Sequence, residues 1–315
     1  MTRRAAVTGG TGFLGTHLIR LLAEAGWQIR MLARRWPRPQ AGAMPVDLVP
    51  GGLRDAEALA RLVQGADAVF HLAGAVAATN RAGFFAANAS GAQAVAQAWR
   101  DHAPQAHFVL VSSLAARLPE VSHYAASKAA GEQAVADLAP DRARLTILRP
   151  GAIYGPGDRA TLPLFRAAAW PVQPMLAAPN ARVAVLHVTD AARAVLAAAE
   201  PALPPGRYEL ADDRTEGHAW ADLLAAVRAA AGRGAPRAVR VPTPVLRLLG
   251  AAGGAWSGMS GQPVMLTGQK VREILQPDWG SHPRAQPPDP AWRPKIELKP
   301  GFAETHAWYR QAGWL

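Results

Sequence analysis

The stretch Ala5-Ala6-Val7-Thr8-Gly9-Gly10-Thr11-Gly12-Phe13-Leu14-Gly15 decides how the chain is read. An apolar run of strand length meets spaced glycines, and a helical pattern then begins, carried by Leu18, Ile19, Leu21, Leu22 and Ala25 and stopped by Gly26. The first turn of a helix offers unpaired N–H groups and the positive end of the peptide dipoles, which suits a pyrophosphate. Glycines let the backbone turn sharply and approach phosphate with no Cβ between them. Gly9, Gly12 and Gly15 fit G-x-x-G-x-x-G, and Gly10, Gly12 and Gly15 also fit G-x-G-x-x-G. The glycine spacing alone is weak; a strand before it and a helix after it make it a dinucleotide-binding turn.

Working outward, Gln28 to Arg34 reads as a second strand, followed by Arg34-Arg35-Trp36-Pro37-Arg38. In a nucleotide-binding sheet this strand end lies beside the adenosine ribose. An acidic residue there would accept from a 2′-hydroxyl, whereas guanidinium groups suit a 2′-phosphate. Arg34 and Arg35 therefore favour NADP over NAD, a solvated basic turn being the alternative. Met44 to Val49 is a third strand, Arg54 to Val63 a helix, and Ala66 to Ala75 a buried strand ending in small residues that let a ligand lie on the backbone. His71 within it reads as a core histidine bonded to backbone rather than a catalytic base. Phe84 to His102 is helical, with Asn88 inside it, either an exposed bystander or part of a site.

His107 to Val111 runs into Ser112 and Ser113, and Tyr124-Ala125-Ala126-Ser127-Lys128 opens the next helix. Leu145 to Gly151 is another strand. The alternation predicts an α/β fold with a doubly wound parallel sheet and right-handed crossovers. Past Gly151 prolines multiply. Val183 to Val188 reads as a strand returning to the main sheet, Thr189 to Ala199 as the helix after it, and Glu304 to Gln311 as a final helix. The dinucleotide-binding domain is thus expected over 1–155 and about 183–200, and a smaller discontinuous substrate lobe over about 156–182 and 201–315.

Ser113, Tyr124, Lys128 and Asn88 all fall at the carboxyl edge of the expected sheet. Tyr124 and Lys128, at i and i+4, share a helix face. An ammonium and a positive nicotinamide ring would both favour phenolate, so Tyr124 could exchange a proton with a hydroxyl while hydride moves. Ser113 would hold the substrate oxygen, and Lys128 would also bond the nicotinamide ribose.

The bulk numbers bound the rest. The 315 residues are half hydrophobic, enough for a full α/β domain and a second lobe. With no cysteine, disulfides and thiolate chemistry are excluded, which suits a cytoplasmic protein. Met1 to Arg4 leaves no room for a signal peptide's apolar core, and charges and prolines break every long apolar run, so no membrane insertion is expected. The net charge of +11 comes from dispersed arginines, favouring anionic ligands over nucleic acid. No cluster suggests a metal. The tryptophans Trp256, Trp279, Trp292, Trp308 and Trp314 read as packing of the lobe, or as the lining of an apolar pocket.

Taken together, these stretches resemble the extended short-chain dehydrogenases/reductases, which include the NAD-dependent epimerases and dehydratases. The resemblance rests on Thr8 to Gly15, His71-Leu72-Ala73-Gly74, Val111-Ser112-Ser113, Tyr124 to Lys128, Leu148 to Asp158 and His187 to Arg193. It implies Tyr124 as acid/base, Lys128 as its partner, Ser113 (before Ser112) as the polarising hydroxyl, and Asn88 as the asparagine that helps order a relay water. It implies cofactor contacts at Gly9, Thr11, Gly12, Phe13, Leu14, Gly15, Arg34, Arg35, Leu53, Leu72, Ala73, Gly74, Tyr124, Lys128, Pro150 and Ile153. Where many members carry an aspartate before the leucine of Gly52-Leu53, this chain has glycine; Trp36 reads as a surface tryptophan packed on Pro37, with stacking on adenine as the alternative. Nucleotide-sugar members usually carry asparagine where Ile153 stands, although Arg182 or Arg272 could meet a diphosphate. The expected activity is hydride transfer between NADP(H) and a largely apolar carbonyl or secondary alcohol, with NAD(H) allowed. Nucleotide-sugar epimerisation or dehydration, and a cofactor-bound scaffold or redox sensor, are the alternatives. The partner is a small-molecule substrate, and a homodimer is allowed.

Overall fold

The computed structural model describes residues 2–35, 46–235 and 237–315. Trp36, and Met44 and Pro45 at the expected start of the third strand, lie outside the described residues. The chain divides into two compact units. The first comprises 1–149, 192–208 and 287–293, and the second 150–191, 209–286 and 294–315.

The first unit opens with β1 (Arg4–Thr8), α1 (Phe13–Glu24), β2 (Gln28–Ala33), β3 (Val46–Pro50), α2 (Ala56–Val63) and β4 (Ala68–His71). There follow α3 (Arg81–Phe85), α4 (Gly91–His102), β5 (His107–Val111), α5 (His123–Leu138) and β6 (Leu145–Pro150). The next elements are β7 (Ala152–Tyr154), α6 (Leu162–Ala167), β8 (Gln173–Met175), β9 (Arg182–Val183), β10 (Val185–His187), α7 (Val188–Ala197) and β11 (Gly206–Leu210). The chain continues through β12 (His218–Ala219), α8 (Trp220–Ala230), β13 (Ala238–Arg240), α9 (Thr243–Ser260), α10 (Gly268–Leu275), β14 (Asp278–Trp279) and α11 (Leu298–Gln311).

A seven-stranded sheet runs β11-β6-β5-β4-β1-β2-β3, and each of its pairings with a described register is parallel. Chain order reverses between β1 and β4, the switch point at which such sheets take their ligands. The ends are level there: Thr8 pairs with Leu32 on one side and with His71 on the other, and His71 pairs with Leu110.

The strands read as nearly unbroken apolar runs because helices cover both faces of the sheet. Ala6, Val69 and Phe108 join α2, α4 and α5 in one core with Leu59, Leu62 and Val95. Trp99 sits at its centre, fully buried, with its ring 4.8 Å from that of Phe108 and its Nε1 donating to the Ala106 carbonyl at 2.9 Å.

Val185–His187 does not return to the main sheet. It pairs in parallel with β7, and the seventh place goes to β11, so the returning segment of the first unit is 192–208. Buried apolar runs announce a strand but not its neighbour. The helix after it holds, as α7. Asp190 in its first turn accepts from the backbone N–H groups of Lys295 and Ile296, each at 2.8 Å. The final helix begins earlier than expected, at Leu298, with Pro300 in its first turn, where a missing N–H costs nothing. In the second unit Tyr154, Phe165, Phe302 and Tyr309 form an aromatic core, with Trp308 and Trp314 packed against it.

Trp99→Ala removes the largest side chain from the first core and orphans the Ala106 carbonyl. It should cost about 3–5 kcal/mol of folding free energy, read from the midpoint of urea unfolding.

Candidate active site

The β1–α1 turn is built by close approach. Gly9 adopts φ +74°, and a Cβ there would lie 2.5 Å from the Ala73 nitrogen. One at Gly15 would lie 2.1 Å from the Gly9 carbonyl oxygen. Gly12 donates to that same oxygen at 3.0 Å and caps α1 without any side-chain bond. The first intrahelical donor is Thr16, so the N–H groups of Phe13, Leu14 and Gly15 form the open positive end of the helix. No acidic residue stands in that turn, and Thr11 and Gly12 are exposed beside it. A cradle that a Cβ would fill and an uncapped helix start fit a dinucleotide pyrophosphate.

Around the turn, Arg34 and Arg35 are exposed at the end of β2, and the aliphatic stem of Arg34 passes 3.7 Å from where a Gly52 Cβ would be. Leu53 is half-buried, and a Cβ at Gly91 would lie 2.7 Å from its Cδ1. Leu72, Ala73 and Gly74 extend from β4 beside Gly9. A Cβ on Gly74 would reach within 2.8 Å of Asn88 Oδ1 and 3.7 Å of Lys128 Nζ. Pro150 and Ile153 belong to the second unit, where Ile153 pairs with Leu186.

Asn88 is buried, in a single π-helical turn, Ala86–Ser90, inserted between α3 and α4. Its Oδ1 accepts from Ala75 N at 2.8 Å. Its Nδ2 donates to the Ala75 carbonyl at 3.0 Å and to Ser127 Oγ at 2.9 Å. Both amide protons are therefore spent clamping the loop after β4 onto α5. The Asn88 carbonyl lies 2.5 Å from where a Gly131 Cβ would be, so only glycine admits this approach of the two helices.

The two serines after β5 have different surroundings. Ser112 is buried and donates to Glu132 Oε1 at 2.5 Å. Ser113 caps a short 3-10 turn, its Oγ accepting from Ala115 N at 3.2 Å, which leaves its proton available. Tyr124 and Lys128 stand one turn apart on α5, which Ser122 caps by accepting from Ala125 N. The Tyr124 ring meets Phe84 edge-on at 6.1 Å. Lys128 Nζ donates to the Val111 carbonyl at 2.8 Å. Burial pulls its pKa down to about 8, and the Glu132 carboxylate opposes that fall.

Glu132 was not singled out from the sequence. Its carboxylate, 3% exposed, takes a forked pair from Arg149 at 2.8 and 2.7 Å as well as the Ser112 hydroxyl, and lies 3.4 Å from Arg207. A glutamate on the buried face of a helix, four residues after Lys128, was the available signal, since a buried carboxylate needs partners.

His71 is buried, but its Nδ1 meets the Thr8 hydroxyl at 2.7 Å rather than the backbone. Burial, assisted by the charge of Lys128, lowers its pKa to about 3, so it is a neutral core residue and no base. Among the described residues no group of side chains could hold a metal. Of the two arginines considered for a diphosphate, Arg182 donates to the Gly217 carbonyl and Arg272 to Gln269.

The family model for the NAD dependent epimerase/dehydratase family matches residues 5–211. The chain belongs to that family. It is 45% identical over 313 residues to a ceramide reductase of Caulobacter vibrioides, covering 98% of this chain and 95% of the other. It is 35% identical over 182 residues, about half of each chain, to a 2-alkyl-3-oxoalkanoate reductase of Stenotrophomonas maltophilia. Among solved structures it matches a UDP-N-acetylglucosamine 4-epimerase of Bacillus cereus at TM-score 0.70 and 17% identity, covering 98% and 97% of the two chains. A Bordetella bronchiseptica enzyme in complex with NAD+ matches at TM-score 0.73 and 19% identity, covering 99% and 100%. These two structures share the fold with this family member, which is an NAD-linked enzyme of the short-chain dehydrogenase/reductase superfamily.

The neutral state of His71 has a pH signature. Its native pKa lies below the usual 6.5, so in acid the unfolded chain binds a proton that the native chain refuses. Its contribution is complete above pH 6.5 and is lost as pH falls toward about 3. His71→Asn should make the loss of stability between about pH 7 and about pH 5 smaller by roughly 1–2 kcal/mol, measured by urea unfolding at each pH.

Proposed function

We propose that the chain is a reductase, preferring NADPH, that converts the ketone form of an N-acylated long-chain amino alcohol of the ceramide type into its secondary alcohol. The observation that carries this is the 45% identity to a ceramide reductase along nearly the whole chain. That likeness extends through the second unit, where no substrate motif was legible. Ile153 agrees with it: an isoleucine offers a sugar hydroxyl or phosphate no donor, and burying such groups unpaired costs about 1–3 kcal/mol each. The 2-alkyl-3-oxoalkanoate reductase is likewise named for an alkyl-bearing oxo compound.

The reduced cofactor, when bound, supplies hydride to the carbonyl carbon. The residues of the chain handle the oxygen. Ser113, with its oxygen already accepting from Ala115 N, donates its proton in a hydrogen bond to the carbonyl and polarises it. Tyr124 delivers its phenolic proton to the same oxygen as the carbon–oxygen π bond is lost, leaving an alcohol and a phenolate. Lys128, with a pKa near 8, stabilises that phenolate as an ammonium and can pass it a proton at neutral pH. Its bond to Val111 ties the ammonium to the strand end that carries Ser113. Asn88 acts as a positioning residue through its clamp on Ala75 and Ser127. Arg34 and Arg35, exposed at the ribose end of β2, meet the 2′-phosphate.

The test is NADPH consumption by the purified protein with a short-chain N-acyl amino ketone dispersed in micelles, the alcohol product being identified by mass spectrometry. Tyr124→Phe should bind NADPH normally while turnover falls roughly 10²–10⁴-fold. Near-full activity in that variant would assign the proton to another group. Micromolar binding of a nucleotide sugar, with no carbonyl consuming NADPH, would favour epimerase chemistry instead.

Cofactor choice is tested separately by calorimetric titration. The parent protein should bind NADPH more tightly than NADH by about 1–3 kcal/mol, and Arg34→Ala with Arg35→Ala should erase that difference with NADH affinity nearly unchanged. Equal affinities in the parent would remove the role given to the two arginines.

A further inference from the structure

Helix α9 is built inside out. Its buried stripe is Leu246, Gly250 and Ser257, with Gly253 between them at helical spacing. The small residues let the backbone pack hard on the segment that follows. A Cβ at Gly253 would lie 2.1 Å from the Leu266 carbonyl oxygen, and one at Gly250 would lie 2.7 Å from Val271 Cγ2. Apart from Leu246, the large apolar side chains face the other way. Leu248 is 70% exposed, Trp256 61% and Met259 77%, with Val245 and Leu249 also exposed. Val245, Leu248, Ala252, Trp256 and Met259 recur at intervals of three and four, which places them on one stripe. Trp256 is therefore not used in packing, whereas Trp308 and Trp314 pack against the aromatic core and Trp279 donates to the Glu273 carbonyl.

The charge of the sequence that flanks this stripe has one sign. Between Leu223 and Arg272 the sequence holds seven Lys and Arg and no Asp or Glu. Arg233, Arg237, Arg240 and Arg247 are exposed and have no carboxylate partner among the described residues. Arg247 stands in α9 itself, beside Leu248.

We infer that α9 is a membrane-docking helix, lying flat on an anionic lipid surface with its Leu248–Met259 stripe in the acyl boundary and the arginines of the flanking sequence on the headgroups. A helix with an apolar stripe, a basic surround and a tryptophan takes this position at an interface. Arginine stems extend along apolar surface while their guanidinium groups stay among phosphates. No helix among the described residues is long and apolar enough to cross a membrane, so α9 lies on the surface rather than spanning it. A second copy of the chain is the weaker occupant, because a symmetric contact would set the same unpaired arginines against each other. This inference does not depend on the reaction assigned above.

The test is co-sedimentation of the full chain, without cofactor or substrate, with vesicles of phosphatidylcholine alone or with about one-third phosphatidylglycerol. The expected result is at least about tenfold stronger binding to the anionic vesicles, weakening as salt rises. Leu248→Glu with Trp256→Glu and Met259→Glu should abolish pelleting while the unfolding temperature and NADPH affinity stay unchanged, since all three side chains face outward. Arg237→Ala with Arg240→Ala and Arg247→Ala should remove most of the salt-sensitive part. Failure of the parent to pellet with anionic vesicles, or pelleting of the glutamate variant equal to the parent's, would overturn the inference. So would a dimer seen by light scattering that the glutamate variant splits, for the stripe would then belong to a second copy. A protein that pellets but never reduces the amino ketone keeps the docking surface and loses the substrate reading.

Discussion

The missing side chains at Gly9 and Gly15 are the constraint on which the site depends. A Cβ at either would collide with backbone, that of Ala73 in one case and that of the turn itself in the other. Only glycine lets the start of α1 come down onto the end of β1 while the loop after β4 closes against it. Those two contacts bring the open helix terminus level with the strand ends. Parallel pairing then sets the other pieces by register, since Thr8, His71 and Leu110 are successive neighbours across the sheet. The residues just past those positions, from Gly9, Leu72 and Ser112 onward, share one edge for that reason.

A second layer of contacts behind that edge separates side chains that look alike in sequence. Ser112 and Ser113 are adjacent, yet the first is committed to Glu132 and the second retains a proton to give. Glu132 is held by Arg149, so a carboxylate buried near Lys128 opposes, without cancelling, the fall in its pKa. Burying an ion pair is weak evidence for stability in itself, but breaking one leaves a charge without a partner. Here the pair serves placement: it joins α5, which carries Tyr124 and Lys128, to β6.

The first unit was legible because its two periodicities alternate cleanly and its glycines, serines, tyrosine and lysine fall at element ends. Asn88 was harder. A polar residue in mid-helix signals a need for partners, but the π turn that points it toward Ala75 leaves no mark in hydrophobic spacing. The destination of Val185–His187 was illegible for a related reason, as burial demands pairing without naming the partner strand. Between residue 200 and the final helix the sequence pattern announces none of α8, α9 and α10. In α9 the usual rule largely fails, for apart from Leu246 the residues that pack are Gly and Ser, while Leu248, Leu249, Trp256 and Met259 face outward. A pattern that assumes apolar means inward cannot locate such a helix, and Pro242 and Pro244 at its start reinforce the look of a loop.

That inversion bears on the chemistry proposed for the first unit. A substrate with a long acyl chain resides in a bilayer, and bringing it into water costs about 0.8 kcal/mol for each methylene exposed. For a chain of even ten methylenes this approaches 8 kcal/mol, more than any contact in the site could return. A reductase for such a ketone therefore gains more from meeting its substrate at the lipid surface than from binding it more tightly in solution. On that proposal the dispersed basic charge, which by itself indicated only a preference for anions, has two separate duties. Arg34 and Arg35 stand exposed at the end of β2, while the acid-free stretch from Leu223 to Arg272 contains an outward apolar stripe. On the functions proposed, the first concerns the cofactor and the second the place where the substrate is found, and the two can be altered independently because they lie on different compact units of one chain.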